Sequence, residues 1–167
     1  NKHSKSGYYN YHSEIWADKA GYYVYLPAAL KYNFNPQNFP DSIAPKTGDG
    51  FKLNLQSNTV ETKYTMGVAL MQLPFYFLAD IFATSLGHAN DGFSPPYHWS
   101  INIAAVFYLL LGLFFLRKFL LPRFKKATVN ITLLLLFLGT NLYHYAIDET
   151  GMSHVYSFAL FCAFLYL

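Results

Sequence analysis

Beyond Lys63, every lysine and arginine falls within one ten-residue stretch, Arg117-Lys118-Phe119-Leu120-Leu121-Pro122-Arg123-Phe124-Lys125-Lys126. On either side, residues 92–116 and 127–147 hold no Lys, Arg, Asp or Glu. Each run is long enough to cross a hydrocarbon core of roughly 30 Å, which takes about 20 helical residues. Short loops rich in Lys and Arg stay on the cytoplasmic side of a membrane. The decad therefore predicts a membrane protein and its orientation, with residues 117–126 in the cytoplasm and residues 88–100 and 148–152 on the outer face.

Composition agrees with that reading. With 53% hydrophobic, 20% aromatic and 13% charged residues, the 167-residue chain lies outside the usual range of a soluble domain. Its net charge of +3 comes from the decad and a scattered N-terminal set. Beyond the short decad between two apolar runs no basic stripe suggests nucleic acid, which sets that partner aside. The single cysteine, Cys162, excludes an intrachain disulfide and sits in an apolar run as a small packing residue. The sequence opens on Asn1 and stops at Leu167 within a hydrophobic run, the pattern expected of an N-terminal fragment of a larger membrane protein.

The expected architecture is an all-α integral membrane protein: a multi-span helical bundle, truncated, with outer-face juxtamembrane helices. Residues 1–66 are polar and aromatic and contain no run able to span a bilayer. Within them, residues 19–32 read as an aromatic interfacial helix, with Pro27 bending it or starting a second turn. Residues 33–50, with five Pro or Gly, read as a loop. Residues 67–86 are nearly long enough to cross, but Gln72, Pro74 and Asp80 argue against lipid exposure. They are read as a helix in the interface, with a true crossing as the alternative. Spans are expected at 101–121, 127–147 and, truncated, 153–167. If residues 67–86 do not cross, all of residues 1–100 share the outer face with Asp148 and Glu149.

Three motifs carry candidate chemistry. Asp18, in Glu14-Ile15-Trp16-Ala17-Asp18, precedes the aromatic helix and suits either an N-cap or a base. Lys63, in Glu61-Thr62-Lys63-Tyr64, stands at the mouth of an apolar helix and suits headgroup anchoring or a phosphate contact. His144, Asp148, Glu149 and His154 gather at the turn between two spans. Their spacing matches no zinc signature, so no metal is assigned, although a divalent ion remains open. Asn141 and His144 within the second span suit a bundle interior or interhelical hydrogen bonds. Asn130-Ile131-Thr132 has the form of a glycosylation acceptor, but it begins a span at the cytoplasmic end and is discounted.

Taken together, Trp16-Ala17-Asp18-Lys19-Ala20-Gly21-Tyr22-Tyr23, Thr62-Lys63-Tyr64-Thr65-Met66-Gly67 and Gly151-Met152-Ser153-His154-Val155-Tyr156-Ser157-Phe158 resemble the N-terminal part of a GT-C-type membrane glycosyltransferase. The group they are similar to includes dolichyl-phosphate-mannose protein mannosyltransferases and lipid A aminoarabinose transferases. The resemblance implies a polyprenyl-phosphate-linked sugar donor, a glycan, lipid or protein acceptor, and a bacterial inner membrane. It implies Asp18 as the acidic residue of the first outer loop, acting as the base on the acceptor hydroxyl, Lys63 as the donor-phosphate contact, and Asp148 and Glu149, with His154, as the second outer acidic loop. Tyr22 and Tyr23 would border the acceptor. The chain departs from the pattern at Lys19, where many relatives carry Glu, and at Thr65, where a Pro often stands. No cofactor is required by this chemistry. A transporter, or a non-catalytic assembly subunit, is the rival reading.

Overall fold

The computed structural model describes residues 9–167. The chain is mostly helical: α1 Asp18–Tyr23, α2 Tyr25–Leu30, α3 Ile43–Thr47, α4 Gly67–Ser85, α5 Pro95–Leu120, α6 Lys126–Gly139, α7 Asn141–Ile147 and α8 Ser153–Tyr166. A short 3-10 helix at Pro36–Asn38 and an antiparallel hairpin, β1 Lys52–Asn54 with β2 Thr59–Glu61, complete it.

The hairpin corrects the all-helical expectation. Leu53 and Val60 face each other across it and pack on the core. The side chain of Asn54 accepts from the backbone N–H groups of Gln56 and Ser57, which closes the turn between the strands. The aromatic helix expected over 19–32 is two helices, because Pro27 lacks an N–H. Restarting at Tyr25 puts that gap in a first turn, where no intrahelical partner is needed.

In α4, Ala69, Gln72, Tyr76, Ala79 and Ala83 are buried, and their steps of three and four put them on one helix face. That face packs against residues 15–51 and the start of α5, while Leu70, Phe77, Leu78 and Ile81 stay exposed. Met71 meets Tyr108 and Asp80 meets Tyr97, so α4 and α5 run antiparallel. Asp80 is not bare: it pairs with Lys31 at 2.9 Å and accepts from the Tyr97 hydroxyl.

Helix α5 starts six residues before the expected 101, since Pro95 fits a first helical turn and Asp91 Oδ1 takes the N–H groups of Phe93 and Ser94. Arg117 and Lys118 lie in its last turn, where they complement the helix dipole. Against α5, α8 runs parallel. Gly112 abuts the Phe158 ring and Ala159, and Ala104, Ala105, Val155 and Tyr156 fill the seam. Small residues let the two backbones approach closely.

Helices α4 and α5 are each long and apolar enough to cross a membrane. The run expected as one span over 127–147 is α6 and α7, bent by 67°. At the break Thr140 is extended, and its hydroxyl accepts from Leu142 N–H, capping α7. The bent pair would make a third span; α8 is shorter.

Candidate functional site

The backbone before Asp18 is strained. Ala17 has φ 47° and ψ −123°, a combination that favours glycine. Its N–H donates to Thr47 O at 2.8 Å. Gly50 presses so closely that a Cβ there would stand 1.9 Å from Ala17 O. These contacts fix the turn that delivers Asp18 as the first residue of α1. Ala17 is the N-cap and has no side-chain acceptor, and Asp18 is the acidic residue of the first turn.

Lys63 is brought to the same place by its neighbours. Thr62 Oγ1 donates to Gly21 O at 3.0 Å. The Tyr64 ring packs on Tyr22 at 4.2 Å and lies where a Gly21 Cβ would clash. With both flanks held to α1, Lys63 Nζ lies 3.7 Å from Asp18 Oδ1, and the two side chains are 75% and 53% exposed. The neighbouring Tyr64 side chain, then the Asp18 charge, hold the Lys63 ammonium above its ordinary pKa. An open cavity of about 430 Å³ adjoins Lys63, with Asp49, Lys52, Glu61 and Phe51 also on its walls.

The tyrosines divide. Tyr22 is half-buried beside Lys63, whereas Tyr23 is 1% exposed and donates to Gly92 O. Tyr23 is thus a core residue and not a rim residue.

The turn after α7 also divides. Glu149 reaches back to Lys19 at 2.8 Å, and Lys19 also donates to Tyr11 O. Gly151 is packed so tightly that a Cβ there would lie 2.6 Å from Glu14 O. His144 and Asp148 pair with each other at 3.2 Å in solvent, and His154 stacks on Tyr145 at 3.5 Å. Among the described residues no group of three His, Cys, Asp or Glu is arranged to hold a metal. No contact joins Asp148, Glu149 or His154 to Asp18 or Lys63 among them either. The turn docks beside the Asp18 segment without entering its ion pair.

Sequence reasoning assigned no role to the buried polar chain under this surface. Glu14, 1% exposed, accepts from Asn102 Nδ2 and meets His98 Nδ1, each at 2.9 Å. Thr150 Oγ1 donates to Asn102 Oδ1 at 2.7 Å, Tyr156 OH to Thr150 O, and Gln72 Nε2 to Tyr156 OH. Burial pushes the Glu14 carboxyl up, but the His98 and Asn102 hydrogen bonds outweigh it and hold the pKa below the ordinary value. An ionised carboxylate only accepts, so with Glu14 ionised His98 Nδ1 is the donor of the pair. The available signal was a polar residue inside each apolar run, Gln72 and Asn102, since such residues face a bundle interior.

The chain matches no protein-family model, no curated protein and no solved structure in comparisons with each.

Proposed function

We propose that the protein is a glycosyltransferase segment that moves a sugar from a polyprenyl-phosphate donor to an acceptor on the outer face of a bacterial inner membrane. The observation that carries this reading is the loose, exposed Asp18–Lys63 pair, set just before an apolar helix beside an open cavity that Lys63 lines. An exposed ion pair of this kind holds itself together weakly. A phosphate can take Lys63 and an acceptor hydroxyl can take Asp18 without a large penalty.

In the reaction the acceptor oxygen attacks the anomeric carbon, its proton passes to the Asp18 carboxylate, and the bond from that carbon to the phosphate oxygen breaks. Polyprenyl phosphate leaves with the bonding electron pair, and Lys63 stabilises the charge that builds on it. Attack opposite the leaving group inverts the sugar. The outer-face placement draws support from the decad and from the contacts that join residues 9–66 to residues 80–98 and to the 148–151 turn. Residues 9–66 touch α4 at two places, Tyr22 packing against the cluster that holds Val68 and Lys31 pairing with Asp80, which favours a juxtamembrane α4.

The test uses the full-length protein and undecaprenyl phosphate, the product shared by every sugar donor of that lipid. Binding is expected, and Lys63→Ala should weaken it about tenfold. Unchanged binding would refute the phosphate role. Asp18→Asn should retain binding while transfer from mannosyl- or aminoarabinosyl-phosphoundecaprenol falls at least about a hundredfold. Near-normal transfer by that variant would remove Asp18 as the base.

A further inference from the structure

We infer that the groove between α5 and α6 binds an anionic phospholipid of the cytoplasmic leaflet, with an acyl chain along its floor and the headgroup phosphate at Arg117. The groove encloses about 420 Å³, walled by Leu113, Phe114, Leu133, Leu134 and Phe137. Arg117 and Asn130 line its polar end, where Arg117 Nε reaches Asn130 Oδ1 at only 3.5 Å. That contact is at the limit of a hydrogen bond and leaves most of the guanidinium's donors to a ligand.

Among the described residues no acidic group neutralises the charge at this end. Between Asp91 and Asp148 the chain contains no acidic residue. Among the described residues, none of Arg117, Lys118, Arg123, Lys125 and Lys126 joins an ion pair within 4.0 Å. Lys118 leans over the Phe114 ring and Arg123 over the Phe119 ring. Arg117 is thus the cation presented at the groove itself. A neutral lipid would fill the apolar floor but leave the charge unmet, and a free phosphate would meet the charge but leave the floor exposed. A lipid with an anionic head satisfies both, and basic sites between helices on the cytoplasmic side take such heads. The inference rests on α5 and the bent α6–α7 pair lying in a membrane with the decad inside, and not on the transferase reading.

The experiment is native mass spectrometry of the full-length protein in detergent, titrated with dioleoylphosphatidylglycerol or dioleoylphosphatidylcholine. The phosphatidylglycerol adduct should be retained at least about fivefold better. Arg117→Gln, and Leu134→Trp, which plugs the groove and keeps every charge, should each abolish that preference. Lys125→Gln, outside the groove, should keep it within about twofold. Retention of neither lipid by the parent protein, equal losses for Arg117→Gln and Lys125→Gln, or an unaltered Leu134→Trp would each overturn the site. Displacement of the lipid by millimolar inorganic phosphate would identify an ion site in its place.

Discussion

The Glu14 carboxylate and the His98 imidazole lie 84 positions apart in the chain and 2.9 Å apart in space, both nearly fully buried. They form the hinge point of a polar chain that fastens residues 9–66 to the helical bundle. Glu14→Ala should therefore cost about 3–5 kcal/mol, because it strands His98 and Asn102 without their acceptor. Thermal unfolding in detergent measures it, and a loss below about 1 kcal/mol would mean that the network does not hold the two parts together.

The same carboxylate makes stability depend on acid. Its folded pKa is lower than the ordinary value of 4.5, so its contribution is complete above that value and is lost as pH falls through the folded one. Stability should decline below the mid-fours, and Glu14→Gln should flatten that part of the profile. An identical acid slope in the variant would assign the titration to another group.

Lys19 and Glu149 should be energetically coupled. Lys19 is 4% exposed and Glu149 23%, so the pair is sheltered from solvent screening. A double-mutant cycle with Lys19→Met and Glu149→Gln should return a coupling of about 1–3 kcal/mol. Simple additivity would show that the turn is held by the Thr150 hydrogen bonds and the packing at Gly151, without the ion pair.

The strained turn before Asp18 can be relaxed or broken by single atoms. Ala17→Gly should raise stability by about 1 kcal/mol, because glycine accepts that backbone conformation freely. Gly50→Ala should lower it by about 1–3 kcal/mol by driving a methyl into Ala17 O. Gly67→Ala is the control, since nothing lies within 4 Å of its Cβ. Equal losses at Gly50 and Gly67 would contradict the close approach.

Single cysteines at positions 18, 63 and 149, in a Cys162→Ser background, should all react with a membrane-impermeant thiol reagent from outside intact cells. Labelling at 149 alone, with 18 and 63 reacting only after permeabilisation, would make α4 a crossing and separate the Asp18–Lys63 pair from the Glu149 turn.

Much of the helical frame was legible because hydropathy and charge act over whole turns. The apolar run at 67–86 became α4, and the decad fell at the turn between α5 and α6. The resemblance set Asp18 and Lys63 at one place, and their side chains lie 3.7 Å apart. What stayed hidden depends on single groups or on distant ones. Pro95 and Pro96 looked like loop residues because proline breaks helix interiors, yet it is welcome in a first turn. The α6–α7 bend hangs on the conformation of Thr140, to which an average over twenty residues is blind. Glu14 gave no local sign of its burial, since His98 and Asn102 lie 84 and 88 positions downstream.

That long reach sets an order of assembly. The polar anchors of the N-terminal region, Glu14, Lys19, Lys31 and Lys46, take their partners from His98, Asn102, Glu149, Asp80 and Asp91. At a synthesis rate of about 5–20 residues per second, Lys19 waits on the order of ten seconds for Glu149 to leave the ribosome. Residues 9–66 must remain incompletely folded through that interval. Of these partners Glu149, in the α7–α8 turn, is the latest to be made, so its delivery sets when the Lys19 anchor beside Asp18 can form.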